Sequence, residues 1–397
     1  MRLFIEKEKN QRFCLSYVVF LINGMLALSV GSLLPFIRDA RGLSYAFCGL
    51  IVSLHSVGNL VSSFTAGALP ALVGRKKSML IFNSFFALSY ALIIVGKSPF
   101  VLAVALFTTG LARGATSNFC NAEINSLAPG KAWMINGLHA MFSIGAFFFP
   151  ILLMVLTMQK ASNWIYACWF MLVMGMISWL LYFLMPESGE NKVEKKKDSG
   201  GKGFFGEPLF YLCTVTLFFY LCAEQGVIGW MITYFGDTGL LSASLSQMTA
   251  SVLWIMILAG RLTTAWLTTK VAKEKLLPVM GVGVVFFFLV LILSRSTGLI
   301  VFGIMGFGYS MAGIYPTTVS FAGNLIEKYS MAWSFILTTA SLGSIIMPSV
   351  IGRIAESAGI FYGMSSIAAV VVIDLVFIIV LSVYIKKLQI KKEGEKE

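Results

Sequence analysis

Long apolar segments separated by short polar ones run along nearly the whole chain. A window of about 20 residues, the length that a helix needs to cross the hydrocarbon of a bilayer, finds twelve such segments. They lie near residues 11–34, 45–70, 78–96, 99–124, 133–157, 163–185, 206–236, 243–268, 275–294, 297–325, 330–353 and 359–385. Because a helix satisfies its own backbone hydrogen bonds in lipid, the pattern predicts an all-α membrane protein with twelve transmembrane helices.

The fifth and eleventh predicted helices share a pattern of small and helix-bending residues. The pattern S-[IL]-G-x4-P begins at Ser143 and again at Ser341, 198 residues later. Asp39 and Asp237 are separated by the same 198 residues. Two similar parallel halves of about this size are typical of membrane transporters.

The repeat and the polar stretch between its two copies predict the domain organisation. We expect a six-helix bundle at 1–185, a flexible cytoplasmic linker at 186–205, and a second six-helix bundle at 206–397 with a short basic cytoplasmic tail. The linker is the longest soluble stretch, and the sequence has no G-x4-G-K-[ST] phosphate loop. These two features exclude a nucleotide-hydrolysing pump, so active transport would draw on an ion gradient.

Composition and charge fit a protein dissolved in lipid. Hydrophobic residues make up 58% of the chain, charged residues make up 12%, and the mean hydropathy is +0.85, which is too apolar for a water-soluble core. The net charge of +12 does not indicate nucleic acid, because 22 Lys and Arg lie on the side of the N-terminus and six lie opposite. The positive-inside rule then predicts that both termini are cytoplasmic, in the plasma (inner) membrane.

The six cysteines all fall inside predicted spans and show no paired metal spacing. We expect them to be reduced packing residues, without a disulfide or a zinc site.

The loop after the second predicted helix carries a recognisable short motif. The run GALPALVGRKK at 67–77 resembles the G-x-L-x-D-R-x-G-R-[RK] loop between helices 2 and 3 of the major facilitator superfamily. Its glycines permit a tight turn and close helix approach, and its basic end suits the cytoplasmic headgroups. Ala71 replaces the family's acid and Leu72 its first Arg. The charge-pair gate attributed to this loop is therefore not expected here.

Three passages resemble the fucose–galactose–glucose proton symporter group of that superfamily. They are MINGLHAMFSIG at 134–145, EQGVIGWMITY at 224–234 and YPT at 315–317. The resemblance implies a major facilitator fold of twelve helices in two parallel six-helix repeats. In that fold, helices 1, 4, 7 and 10 line a central cavity.

The chain departs from that group at the positions where its sugar symporters carry acids, on helices 1 and 4. Asn121 matches the group's Asn on helix 4, but the position four residues earlier is Ser117, and helix 1 offers Asn23 in place of an acid. Neither the sugar specificity nor the proton site of the group carries over.

Polar side chains inside the spans are the candidates for function, because burying them in hydrocarbon is costly. Glu224 lies within the seventh predicted helix. A buried carboxyl there is suited to taking up and releasing a proton during transport, so we predict that Glu224 is the proton-coupling group. The alternative is a structural acid, hydrogen-bonded to a neighbouring helix.

The fourth predicted helix carries a polar stripe. Arg113, Ser117 and Asn121 recur every four residues and share one face, with Asn118 beside it. We predict that this stripe binds substrate. Arg113 would hold a carboxylate or phosphate with two hydrogen bonds, or it would pair with Glu224 as a structural bridge, and both alternatives stay open.

Further substrate-binding candidates are polar or aromatic residues elsewhere in the spans. They are Asn23, His55, Asn59, His139, Gln225, Trp230, Tyr309 and Tyr315. Each histidine would relay protons or bind the ligand, or else be a packing residue. The rings of Trp230, Tyr309 and Tyr315 would stack on a sugar or planar ligand. Glu123 and Arg261, near cytoplasmic helix ends, are expected to be gate or snorkelling residues. Asp374 would be a neutral packed carboxyl or a second ion site.

These features predict a secondary transporter that moves a small polar solute, such as a sugar or organic anion, by alternating access with proton symport. A proton-driven exporter of amphipathic compounds is the alternative in that class. A membrane-embedded enzyme would need a cluster of acid, base or metal ligands, which two histidines without an H-E-x-x-H motif do not supply. The expected partners are the solute, protons and the lipid bilayer, not nucleic acid. We expect a monomer without a cofactor, a metal or a catalytic residue.

Overall fold

The structure is a computed structural model that describes residues 2–128, 132–186, 202–329 and 331–394. Within these ranges the chain is helical and contains no strand. Most of the predicted linker at 186–205 lies outside the described residues.

Twelve helices among the described residues are long and apolar enough to cross a membrane, which confirms the predicted number. In the first half of the chain they are α1 (Lys7–Arg41), α2 (Tyr45–Ala68), α3 (Arg75–Val95), α4 (Pro99–Leu127), α5 (Met134–Thr157) and α6 (Ala161–Leu184). In the second half they are α7 (Pro208–Asp237), α8 (Ala243–Leu267), α9 (Lys273–Leu293), α10 (Thr297–Phe321), α11 (Ala332–Ala358) and α12 (Ile360–Ile390).

The largest difference from the predicted spans is in α1, which runs beyond the expected 11–34 at both ends. A hydropathy window measures the apolar part of a helix, whereas the backbone hydrogen bonds continue into the polar interface. In α10 the regular helix is interrupted between Met311 and Ile314. Short helices at Pro70–Val73 and Gly323–Lys328 lie in the loops after α2 and α10.

Serine side chains cap the N-termini of three of the membrane helices. Ser44 accepts a hydrogen bond from the backbone N–H of Phe47 at 3.1 Å, which caps α2. Ser98 caps α4 in the same way, and Ser296 caps α10. Each cap satisfies a backbone donor that the first turn of a helix leaves unpaired, so the loop sequence fixes where the helix starts.

The described helices divide into two compact units. The first contains α1 to α6 and the start of α8, Ala243–Ser251, and the second contains α7, the rest of α8, and α9 to α12. In the first unit α2 packs on α4, α1 on α5, and α3 on α4 and α6. In the second, α7 packs on α11 and α12, and α9 on α10 and α12.

Glycines hold α2 and α4 unusually close together. A Cβ atom on Gly58 of α2 would overlap the carbonyl oxygen of Phe107 on α4, and a Cβ on Gly110 of α4 would overlap that of His55 on α2. Small residues at both faces let the two backbones touch, as is common between helices in lipid. This contact positions His55 against the polar stripe of α4.

The outer faces of the helices are apolar. On α9, Val279, Val282, Phe286 and Leu293 are all more than half exposed. Their spacing of three, four and seven residues puts them on one face. A continuous exposed apolar face of this kind suits contact with lipid.

Candidate functional site

The polar stripe of α4 makes its contact with α1. Asn23 of α1 is buried, and its Nδ2 donates to the hydroxyl of Ser117 at 3.0 Å. Asn121 donates to the backbone carbonyl of Ser117 at 2.8 Å. The side-chain oxygen of Asn23 has no hydrogen-bond partner among the described residues, so it is an acceptor that a ligand donor could satisfy.

His55 of α2 lies beside the same stripe. Its Nδ1 is 2.8 Å from the hydroxyl of Thr109, and that hydroxyl donates to the carbonyl oxygen of Leu106 at 2.5 Å. The ring must therefore donate through Nδ1, which leaves Nε2 as an acceptor. Nε2 is buried without a partner in the described part of the chain. The charge of Arg113, itself half-buried, lies within electrostatic range of the ring.

Other predicted residues of this unit point elsewhere. Asn118 donates to the carbonyl oxygen of Ser63 at 3.0 Å, so it faces α2 and not the stripe. Asn59 of α2 is half-buried. His139 of α5 is exposed, and its ring meets the edge of Phe20 at a centroid distance of 5.5 Å.

The second unit holds a cluster around Glu224. The buried hydroxyl of Tyr220 donates to Glu224 Oε1 at 2.9 Å, and the amide of Gln225 lies 3.5 Å from Oε2. The ring of Tyr315 on α10 is 5.8 Å from that of Tyr220. Arg261 of α8 lies within electrostatic range of both tyrosines. Three helices therefore bring a carboxyl, two phenols and a guanidinium together.

That position of Arg261 adds to the sequence interpretation, which expected a gate or snorkelling residue. A signal was available in the sequence, because an arginine inside an apolar helix needs a polar environment, and the tyrosines of α7 and α10 supply one.

The two remaining aromatic candidates do not join this cluster. Trp230 is fully buried, and its indole N–H donates to the carbonyl oxygen of Pro348 on α11 at 3.1 Å. With no exposed face and its donor in use, the ring offers no stacking surface in this conformation, so the structure does not support that role. Tyr309 of α10 is 39% exposed.

Sequence reasoning missed an ion-pair network at the start of α3. Glu123 of α4 is 2% exposed and lies 2.5 Å from Arg12 of α1 and 2.6 Å from Arg75 of α3. A side chain buried to this degree does not snorkel, so of the two alternatives expected for Glu123 only the gate residue stays open. The loop at 67–77 lacks the acid that the family carries there, but its Arg75 forms an ion pair with Glu123 on α4.

Asp374 of α12 is also buried, at 4% exposure. Its Oδ1 has no hydrogen-bond partner within the described ranges. Cys222 of α7 lies within electrostatic range of it. The side chain belongs to neither of the two polar clusters.

Comparison with known proteins gives a consistent family. The model of the family described as Major Facilitator Superfamily matches residues 14–348. A protein of Yersinia enterocolitica named "Protein TsgA homolog" is 20% identical over 94% of this chain and 95% of its own length. A Yersinia pestis protein of the same name is 21% identical, over 87% and 88% respectively.

Solved structures share the fold at lower identity. A bacterial homologue of the human lysosomal transporter Spinster superposes with a TM-score of 0.77 at 13% identity, covering 93% of this chain and 96% of that one. A D-xylose–proton symporter superposes with a TM-score of 0.75 at 13% identity, covering 94% and 96%. The family match confirms the resemblance seen in the run at 67–77.

Proposed function

The chain belongs to the major facilitator superfamily, and on that premise we propose that it is a proton-coupled secondary transporter of a small polar solute. Its family and its twelve apolar helices make it a multi-pass integral membrane protein that transports small solutes and is not an enzyme. The proton coupling, the class of solute and the residues that serve them are the proposal. The single observation that carries it is the cluster around Glu224.

The contacts of Glu224 suit a carboxyl that gains and loses a proton in each cycle. Its hydrogen-bond donors are a phenol and an amide, which are both neutral. They can therefore remain hydrogen-bonded to the carboxyl whether it is protonated or ionised. Glu123 differs, because each of its oxygens faces an arginine, and protonating it would leave two cations unpaired. Arg261, whose charge acts on Tyr220 and Tyr315, adds a positive charge to this cluster.

The polar groups of the first unit support a polar solute with a negative group. In the described part of the chain Asn23 and His55 each present an acceptor without a partner, which a hydrogen-bond donor of the solute would satisfy. Asn121 and Ser117 add further polar atoms on the stripe of α4. Arg113 supplies a planar guanidinium, which suits a carboxylate or phosphate. Of the other predicted residues, we retain Asn59, His139, Gln225, Tyr309 and Tyr315 as candidates and leave out Asn118 and Trp230.

The proposal includes a membrane and a topology. The 22 to 6 distribution of basic residues supports cytoplasmic termini in the plasma (inner) membrane. Bundles at 1–185 and 206–397, within a monomer, would be the halves that alternate access during transport.

The direct test measures proton movement caused by the solute. The purified chain would be reconstituted in vesicles that enclose a pH dye, and sugars, nucleosides and organic anions would be added one at a time. We expect one class to acidify the lumen as it enters, and a protonophore to abolish its accumulation. Solute uptake that ignores the protonophore would contradict proton coupling. Efflux of amphipathic compounds driven by inward proton flow would instead favour the exporter.

Arg113→Lys is expected to weaken binding of an anionic solute by about tenfold to a hundredfold. Lysine keeps the charge but loses the two-pronged hydrogen bond, and a hydrogen bond to a charged group is worth about 1.5–3 kcal/mol. Titration of binding would measure the loss. The matched control is Arg353→Lys at an exposed position of α11, which should bind normally. If affinity survives both Arg113→Lys and Asn121→Ala, the stripe is structural.

A further inference from the structure

A cavity of about 230 Å³ opens where the loop after α2 meets the end of α6. Its walls include Gly74 and the consecutive basic residues Arg75, Lys76 and Lys77 at the start of α3, together with Tyr182 of α6 and Met185, which follows that helix. None of these residues belongs to the two polar clusters assigned to transport. The cavity therefore needs an explanation of its own.

The cavity is strongly basic. Among the described residues Glu123 is the one acid in its wall, and that carboxylate is already paired with Arg75 and Arg12. Within the described part of the wall, no further acid faces the charges of Lys76 and Lys77. Lys76 is half-buried, and its ammonium lies 5.6 Å from the centroid of the Phe183 ring.

The backbone adds to this positive field. Gly74 is the N-cap residue of α3 and has a φ of 88°, and no side chain in the described residues caps the helix there. The first-turn N–H groups of α3, a helix of 21 residues, belong to residues that line the cavity, and no capping side chain among the described residues pairs with them. Basic side chains and a free helix start together select an oxyanion such as a phosphate.

Exposed apolar side chains, which we call the apolar rim, adjoin the residues that line the cavity. Leu72 is 81% exposed, and Val73, which lines the cavity, is 38% exposed. Phe183 of α6, next to the lining residue Tyr182, is 51% exposed. A free phosphate would gain nothing from these side chains, whereas a phospholipid would place its acyl chains against them and its phosphate in the basic cavity.

We propose that this cavity binds the phosphate of an anionic phospholipid headgroup from the leaflet on its side of the membrane. The bound phosphate lies next to Arg75 and so beside the ion pair that ties α3 to α4 and α1. Lipid composition would then influence how firmly the start of α3 is held. The proposal needs the membrane position of the chain, but it does not depend on proton coupling or on the solute.

The test compares ligands on the purified full chain in detergent. Native mass spectrometry would count bound phosphatidylglycerol, phosphatidylcholine with the same acyl chains, and inorganic phosphate. We expect phosphatidylglycerol to be retained most tightly. Equal retention of phosphatidylcholine would overturn the proposal, since charge would not be recognised. Equally tight binding of inorganic phosphate would replace the lipid site by a free-phosphate site.

Two double variants locate the binding. Lys76→Gln with Lys77→Gln should lower phosphatidylglycerol affinity by at least about tenfold, because each basic residue near an anionic lipid contributes roughly a factor of five. The matched control is Lys270→Gln with Lys275→Gln, which removes the same charge at exposed positions around the start of α9. Equal losses in both would show diffuse attraction and overturn the site.

Leu72→Ser tests the apolar rim separately. The side chain is almost fully exposed, so its replacement should leave the fold intact. It should lower retention of phosphatidylglycerol and leave any inorganic phosphate binding unchanged. Retention equal to that of the parent chain would rule out the rim as the acyl-chain contact. These experiments measure lipid binding, so their outcome does not depend on the result of the transport assays.

Discussion

Glu224→Gln should abolish accumulation of the solute driven by a pH gradient and leave exchange of solute across the membrane intact. Glutamine has nearly the shape of a protonated glutamate, and its carbonyl can still accept the hydrogen bond from Tyr220. It cannot release a proton, so the cycle cannot return the empty, deprotonated carrier. Exchange does not need that step, because loaded protein carries solute in both directions.

Two assays on the same vesicles separate these activities. A pH jump measures accumulation, which should fall to the equilibrium level in the variant, and counterflow of labelled solute measures exchange, which should persist. The matched control is Glu356→Gln, a change at an exposed acid of α11 that should preserve both.

Each contrary result has a definite meaning. If the Glu224→Gln protein still accumulates solute against its gradient, coupling lies elsewhere, and Asp374 is next because its buried Oδ1 lacks a partner within the described residues. If accumulation, exchange and binding all disappear, Glu224 is a structural acid. Either outcome would show that Glu224 is not the proton-coupling group, and the proposed function would lose its main support.

The twelve helices could be predicted from the sequence because lipid imposes a simple rule. A span must be apolar over about 20 residues, so each one is visible in a hydropathy window. Glu224 could be proposed for the same reason, since an acid within such a span is costly and rare. Both inferences use information that lies within a single helix.

The direction of each side chain was harder to predict. Trp230 follows Glu224 by six residues, which at about 100° per residue places it roughly 120° around α7. That rotation carries the ring away from the carboxyl and against Pro348 of α11. Asn118 shows the same effect, because one step along α4 from Ser117 turns its amide towards α2.

The network of Glu123 could not be predicted from local patterns. Its arginines come from α1 and from the start of α3, 111 and 48 residues away along the chain. The family motif pointed to an acid in the loop itself, at the position where this chain has Ala71. Only the packing of α1 and α3 against α4 brings the three charges together.

Replacing either repeated glycine by leucine should stop transport. A Cβ atom on Gly145 of α5 would overlap the carbonyl oxygen of Leu21 on α1, and one on Gly343 of α11 would overlap that of Phe218 on α7. The glycines are 198 residues apart and their partners 197, so the same close contact occurs once in each half. Backbone atoms cannot move aside as a flexible side chain can, so the helices must separate.

The expected cost is about 1–3 kcal/mol of stability or more per variant, with transport below detection although the protein reaches the membrane. Alanine at each position should give a weaker form of the same defect, which keeps the test informative where leucine prevents folding. Gly236→Leu is the control, because nothing lies within 4 Å of a Cβ at that helical position. Normal transport by both leucine variants would remove the argument. A defect confined to one half would show that α1 with α5 and α7 with α11 do not work as equivalent pairs.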